Sequence, residues 1–206
     1  MSEDDPASDR DIELVARIAT GDKRAFETLF TAYGERVFRY AHRMISDVSK
    51  AEEVTNDVMM EVWKNAGKFE GRSKVSTWIL GITRHLALNA VRGKKLDTMD
   101  IDDAPEIADE SQSAQAGALD RDRDALAQDL RDALGHLSND HRDVIELTFF
   151  QGCSYQEIAE IVGCPENTVK TRMFHARKQL KEILTRLGVD LSALDIAGGM
   201  TSEVAS

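Results

Sequence analysis

The stretch Ser154–Leu180, SYQEIAEIVGCPENTVKTRMFHARKQL, decides the fold. Ser154-Tyr155-Gln156-Glu157 has the form of a capping box, in which a serine starts a helix and an acid three residues on returns to cap it. Ile158, Ala159, Ile161 and Val162 give the short helix an apolar face. Gly163 suits the left-handed residue that ends a helix. Pro165 suits the first position of the next one, where its missing N–H costs nothing. Two helices joined by so short a glycine turn predict a helix-turn-helix.

The second helix, projected at about 100° per residue, gathers Val169, Met173, Ala176, Leu180, Ile183 and Leu184 on one side. The other side carries Asn167, Lys170, Thr171, Phe174, His175, Arg177 and Lys178. Cations, hydrogen-bonding groups and an aromatic in that arrangement can meet base edges in a major groove and the phosphates beside it. Arg172 falls at the border, where a phosphate contact and an intradomain role are both open. A merely solvated basic face is the bland alternative; the capping box, glycine turn and proline, all at the right spacing, favour DNA.

Charge along the chain is segregated. The net charge is −11, which taken alone argues against a nucleic-acid partner. Yet Lys68–Lys95 carries seven basic side chains against one acid, and Pro165–Arg186 carries six against two. Between them, Leu96–Asp124 carries ten acids against two arginines. Two basic segments flanking an acidic connector point to two local contacts with a polyanion. The connector has weak periodicity and reads as a flexible or partly extended linker.

Upstream, Phe26, Leu29, Phe30, Tyr33, Val37, Tyr40, Ala41 and Met44 fall at helical spacing in a block that runs from Ile12 to Arg92. Ser46–Lys50 reads as a break, and Ala51–Ala66 as a helix with Val54, Val58 and Val62 on one stripe. Its other face is polar: Glu52, Glu53, Asn56, Asp57 and Lys64. A glycine-containing loop with Phe69, Arg72 and Lys74 leads into a helix over Val75–Val91 that bears Ser76, Thr77, Trp78, Arg84, His85 and Asn89, with Arg92 just beyond it. This mixture suits unpaired DNA, whose bases stack or are captured while cations hold the backbone. Phe69 and Trp78, taken singly, read first as core residues. Order returns after the linker with Leu126, Leu130, Ala133, Leu134 and Leu137, then a Ser138-Asn139-Asp140 turn that caps a helix over His141–Phe150.

The expected fold is all-α: an N-terminal domain over residues 10–95, the acidic linker over 96–124, a C-terminal helix-turn-helix domain over 125–187, and a tail over 188–206. No run approaches the roughly 20 apolar residues of a bilayer span, and the acidic start is not a secretory signal, so the cytoplasm is the expected location. Cys153 and Cys164 make no disulfide framework. No phosphate loop, metal cluster or nucleophile with a placed base is visible, so neither an enzyme nor a cofactor is expected.

An acid-faced helix, then FEGRSKVSTWILGITRHLALNAVR, then an acidic linker, then SYQEIAEIVGCPENTVKTRMFHARKQL resembles the extracytoplasmic-function group of the sigma-70 family of sigma factors. The resemblance covers Ile12–Arg92 and Ala125–Leu187. It implies a protein that binds core RNA polymerase and directs it to promoter DNA, often under an anti-sigma partner, with no membrane insertion. Glu53, Asn56 and Asp57 match the polymerase-binding surface. The loop Phe69–Val75 and the following helix match the segment that opens the downstream (−10) element, with Lys74, Trp78, Arg84, His85 and Arg92 as candidates beside Phe69 and Arg72. His85 stands where many relatives carry Asn, so their base preference does not transfer. Lys170, Thr171, Arg172, Phe174, His175 and Arg177 match the readers of the upstream (−35) element. A stand-alone repressor or activator is the competing reading. It would need a dimer to fill two half-sites, and no dimerisation coiled coil is visible.

Overall fold

The computed structural model describes residues 6–97, 128–187 and 189. The acidic linker, apart from Leu96 and Asp97, and the tail, apart from Val189, lie outside the described residues. Regular structure among the described residues is entirely helical: α1 (Pro6–Ala19), α2 (Lys23–Ile45), α3 (Val48–Asn65), α4 (Val75–Asp97), α5 (128–135), α6 (Asn139–Ile145), α7 (Tyr155–Val162) and α8 (Glu166–Arg186). A 3₁₀ turn, Ala66–Lys68, follows α3, and a π-helical turn, Glu146–Phe150, follows α6.

Two compact units are distinguished. One comprises α1–α4 together with Gln151–Glu166, and the other α5, α6, the π-helical turn and α8. Sequence reasoning groups Gln151–Glu166 with the C-terminal domain. In the structure this segment packs with the first unit, because α7 lies against α4.

In the first unit α2, α3 and α4 pack on one another with α1 against α2. Leu14, Val15 and Ile18 of α1, Leu29 and Val37 of α2, Val54, Val58 and Val62 of α3, and Ile79 and Ala87 of α4 form its core. Truncating a residue as fully buried as Leu29 to alanine should cost about 2–5 kcal/mol. Helix α1 starts at Pro6, before the expected Ile12, with proline at the tolerated first position. Asp22 caps α2 by accepting from the Arg24 and Ala25 N–H groups. The break after α2 is tight: Ser46 is left-handed at φ 60°, and Asp47 caps α3 through the Lys50 N–H.

Phe30, expected on the buried stripe of α2, is exposed. Its ring instead lies along the helix surface over Gly34, where a Cβ would meet the ring edge at 3.1 Å. Helix α4 runs on to Asp97, past the expected start of the linker. In the second unit Ser138 caps α6. The Arg142 guanidinium donates to the carbonyls of Leu134, Gly135 and Leu137, satisfying chain ends that α5 leaves open.

Candidate nucleic-acid interface

The capping box of α7 is complete: the Ser154 hydroxyl accepts from the Glu157 N–H, and the Glu157 carboxylate accepts from the Ser154 N–H at 2.7 Å. Gly163 ends the helix at φ 74°, and the Gly163 and Cys164 N–H groups both donate to the Ala159 carbonyl. Pro165 stands immediately before the first helical residue of α8, one position earlier than expected. This is a one-residue difference of the kind that helix ends commonly show.

Along α8 the buried residues are Val169, Met173, Ala176, Leu180, Ile183 and Leu184, the predicted stripe. Of the eight candidate readers, Asn167, Lys170, Thr171, Phe174, His175 and Lys178 are exposed. Phe174 is 55% exposed. It stands edge-on to His175 at 5.4 Å, and His175 in turn faces His141 at 6.4 Å.

Arg172 and Arg177 are half-buried and make contacts inside their own unit. Arg172 pairs with Asp140 at 2.7 Å, and the Arg177 guanidinium lies over the Phe149 ring at 5.4 Å. The intradomain role left open for Arg172 is therefore occupied.

The second candidate face belongs to α4 and the loop before it. Phe69 and Trp78 are half-buried, pack on the core and touch each other at a ring separation of 5.0 Å. Arg72 is exposed beside Glu70, with 2.7 Å between the charges. Arg92 and His85 are exposed, and His85 shares a 3.1 Å hydrogen bond with Asn89. Arg84 is half-buried. Lys74 pairs with Glu157 of α7 at 3.0 Å. Burial works to raise the Glu157 carboxyl, but the Ser154 N–H, Lys74 and the Ser154 hydroxyl together hold it below the ordinary carboxylate value. Ser73, Thr77, Trp78 and His85 line one wall of a cavity of about 580 Å³, and Glu160 and Ile161 of α7 line another.

The third face is on α3. Glu53, Asn56 and Asp57 are exposed, and so is Met60. Positions 53, 56, 57 and 60 share one helix face, so a large apolar side chain stands inside an acid-and-amide stripe. Sequence reasoning missed Met60, although its register with the acids was visible. It also missed Phe149 and Phe150, both exposed, and the Arg36–Gln151 contact, which joins residues 115 apart and leaves no local signal. Among the described residues no group of three or more metal-ligating side chains occurs, and no helix is long and apolar enough to cross a membrane.

Two family models match the chain: sigma-70 region 2 over residues 29–96 and sigma-70, region 4 over residues 127–180. The RNA polymerase sigma-H factor of Pseudomonas aeruginosa is 29% identical, over 87% of this chain and 96% of that protein. The ECF RNA polymerase sigma factor SigW of Bacillus subtilis is 27% identical, over 84% and 96%. Among solved structures, the sigma factor RpoE of Bartonella quintana, in complex with the anti-sigma factor NepR, superposes with a TM-score of 0.62. It is 28% identical, over 78% of this chain and 96% of that one.

Proposed function

This chain belongs to the extracytoplasmic-function group of the sigma-70 family, and we propose that its exposed faces divide promoter recognition and polymerase binding between them. As a sigma factor it binds core RNA polymerase and directs promoter-specific initiation. In the proposed division α8 reads the upstream (−35) element as duplex, through Asn167, Lys170, Thr171, Phe174, His175 and Lys178. The observation that carries this is the exposed basic face of α8 with Phe174 at its centre. Arg172 and Arg177 hold that helix in place from behind, and any contact they make would be to phosphate.

Residues 10–95 act as the melting and polymerase-binding domain. Phe69, Arg72, Lys74, Trp78, Arg84, His85 and Arg92 meet the downstream (−10) element, and Glu53, Asn56 and Asp57, joined by Met60, meet polymerase. Extruding a base costs a few kcal/mol, which its capture and the backbone contacts must offset. The protein performs no covalent step: its contribution is binding energy distributed over two promoter contacts. The acidic linker over 96–124 complements basic channels on polymerase. The site of action is the cytoplasm, where polymerase and promoter DNA meet. An anti-sigma protein is the expected regulator, supported by the complex in which the Bartonella quintana relative was solved.

Run-off transcription on a genomic fragment library with purified core polymerase tests the reading. Defined new start sites in the presence of this protein support it; start sites unchanged by its addition would overturn it.

A further inference from the structure

The first turn of α6 reaches one stripe of α8. Arg172, His175 and Gln179 are spaced i, i+3, i+7, so they stack on one side of that helix. Between them, Asp140 and His141 meet all three. Asp140 pairs with Arg172 at 2.7 Å. His141, the next residue, shares a 3.1 Å hydrogen bond between its Nδ1 and Oε1 of Gln179. Its ring also faces that of His175, with centroids 6.4 Å and planes 28° apart. His141 thus spans a full turn of α8, from Gln179 to His175.

His141 is itself held at two points. Its backbone N–H donates to the Ser138 hydroxyl that caps α6. An amide oxygen only accepts, so Nδ1 is the ring nitrogen that carries the proton, and the ring cannot turn over without losing that bond. His141 and Gln179 are half-buried, whereas His175 is exposed. On its other flank His175 meets the Phe174 ring at 5.4 Å, with the planes 77° apart. The exposed imidazole is therefore bracketed by an anchored ring on one side and an aromatic edge on the other.

A free imidazole samples several rotamers, and ordering a side chain on binding costs free energy. A bracketed ring avoids part of that cost and presents its nitrogens in one orientation, as hydrogen bonds to base edges require. We infer that His141, which lies on α6 and outside the helix-turn-helix, is a positioning residue for base selection at the upstream (−35) element. Anchored on Gln179, it fixes the His175 imidazole and sharpens the preference at the base pair that His175 reads. The inference rests on the assignment of His175 to that element.

Holoenzyme assembled from the full chain and core polymerase is run on promoters with a randomised −35 element, each template carrying a barcode in its transcript. His175→Ala marks the position that His175 reads. His141→Ala should flatten the preference at that same position by roughly two- to fivefold and leave the other positions alone. Gln179→Leu should act in the same way and less strongly. His141→Phe, which keeps a ring against His175, should retain more of the preference than His141→Ala. In a His175→Ala background neither His141→Ala nor Gln179→Leu should have any further effect on preference. Urea denaturation checks folding; should His141→Ala fail to fold, Gln179→Leu, alone and in the His175→Ala background, carries the comparison.

Uniform loss of transcription from every −35 sequence would show that His141 only supports the domain, and overturns the positioning role. Flattening that persists in the His175→Ala background, or preferences unchanged in both His141→Ala and Gln179→Leu, overturns it as well. If His175→Ala itself left every preference unchanged, the inference would fall with the assignment of His175 rather than through His141.

Discussion

The Arg172 guanidinium meets the Asp140 carboxylate at 2.7 Å, tying helix α8 to the first turn of α6. Asp140 also sits where a negative charge is favoured by the N-terminal end of its helix. The pair is partly open to solvent, at 25% and 50% side-chain exposure, so it should be worth no more than about 1 kcal/mol. Arg172→Ala and Asp140→Asn should each lower urea stability by that order, and the double variant should lose little more than either. Additive losses in that cycle would show that the pair is not coupled.

Upstream recognition and polymerase binding should separate by mutation. Lys170→Ala with Phe174→Ala should reduce transcription from promoters that depend on the −35 element by about ten- to a hundredfold, as expected when contacts worth 1–3 kcal/mol are lost. Polymerase affinity, followed by fluorescence anisotropy, should not change. Glu53→Arg with Asp57→Arg should weaken polymerase affinity first and leave the thermal midpoint of the free protein nearly unmoved, because both residues are exposed. The same defect at the same step from both pairs would contradict the division.

The two ends of α7 should be sensitive to single atoms. Ser154→Ala removes the hydroxyl that caps α7 and should cost about 1 kcal/mol. Gly163→Ala meets no neighbour within 4 Å, so its cost of about 1 kcal/mol would come from placing an alanine at φ 74° alone. Chemical denaturation of the two variants measures both. Gly163→Asn, which tolerates the left-handed region better, should recover part of the loss.

Glu157 should carry a pH signature. Its folded carboxyl lies below the ordinary value, so the stability it contributes is present above the unfolded carboxylate pKa and is lost as pH falls through the depressed folded one. The urea-stability gap between wild type and Glu157→Gln should be open at neutral pH and close in acid. A gap that widened on acidification would have the wrong sign.

Burial pushes the Cys153 thiol up to about 11, so it is almost wholly protonated at neutral pH. Cys164 is only half-buried. Iodoacetamide should therefore label Cys164 first in the native protein, with Cys153 following only on unfolding; mass spectrometry of tryptic peptides reads the order.

Much of this was legible in the residues because it is local. The α8 stripe, the capping box and the Gly163 turn follow from helical period and cap chemistry, and all are found where spacing predicts them. What was not legible depends on partners distant in the chain. The exposure of Phe30 follows from the space over Gly34, and the inward turn of Arg177 from the Phe149 ring. The grouping of Gln151–Glu166 with the first unit comes from α7 packing on α4, with Arg36 and Lys74 supplying the polar contacts. Periodicity reports which face of a helix is apolar, not which neighbour will cover it.

The Met60 side chain, 48% exposed amid the acids of α3, gives the proposed polymerase contact two separable parts. Rim charges act mainly on the encounter, while a buried apolar anchor governs how long partners stay together. Raising the ionic strength should thus slow assembly of the holoenzyme yet leave its lifetime almost untouched, whereas shortening this one thioether side chain should hasten dissociation at any salt concentration.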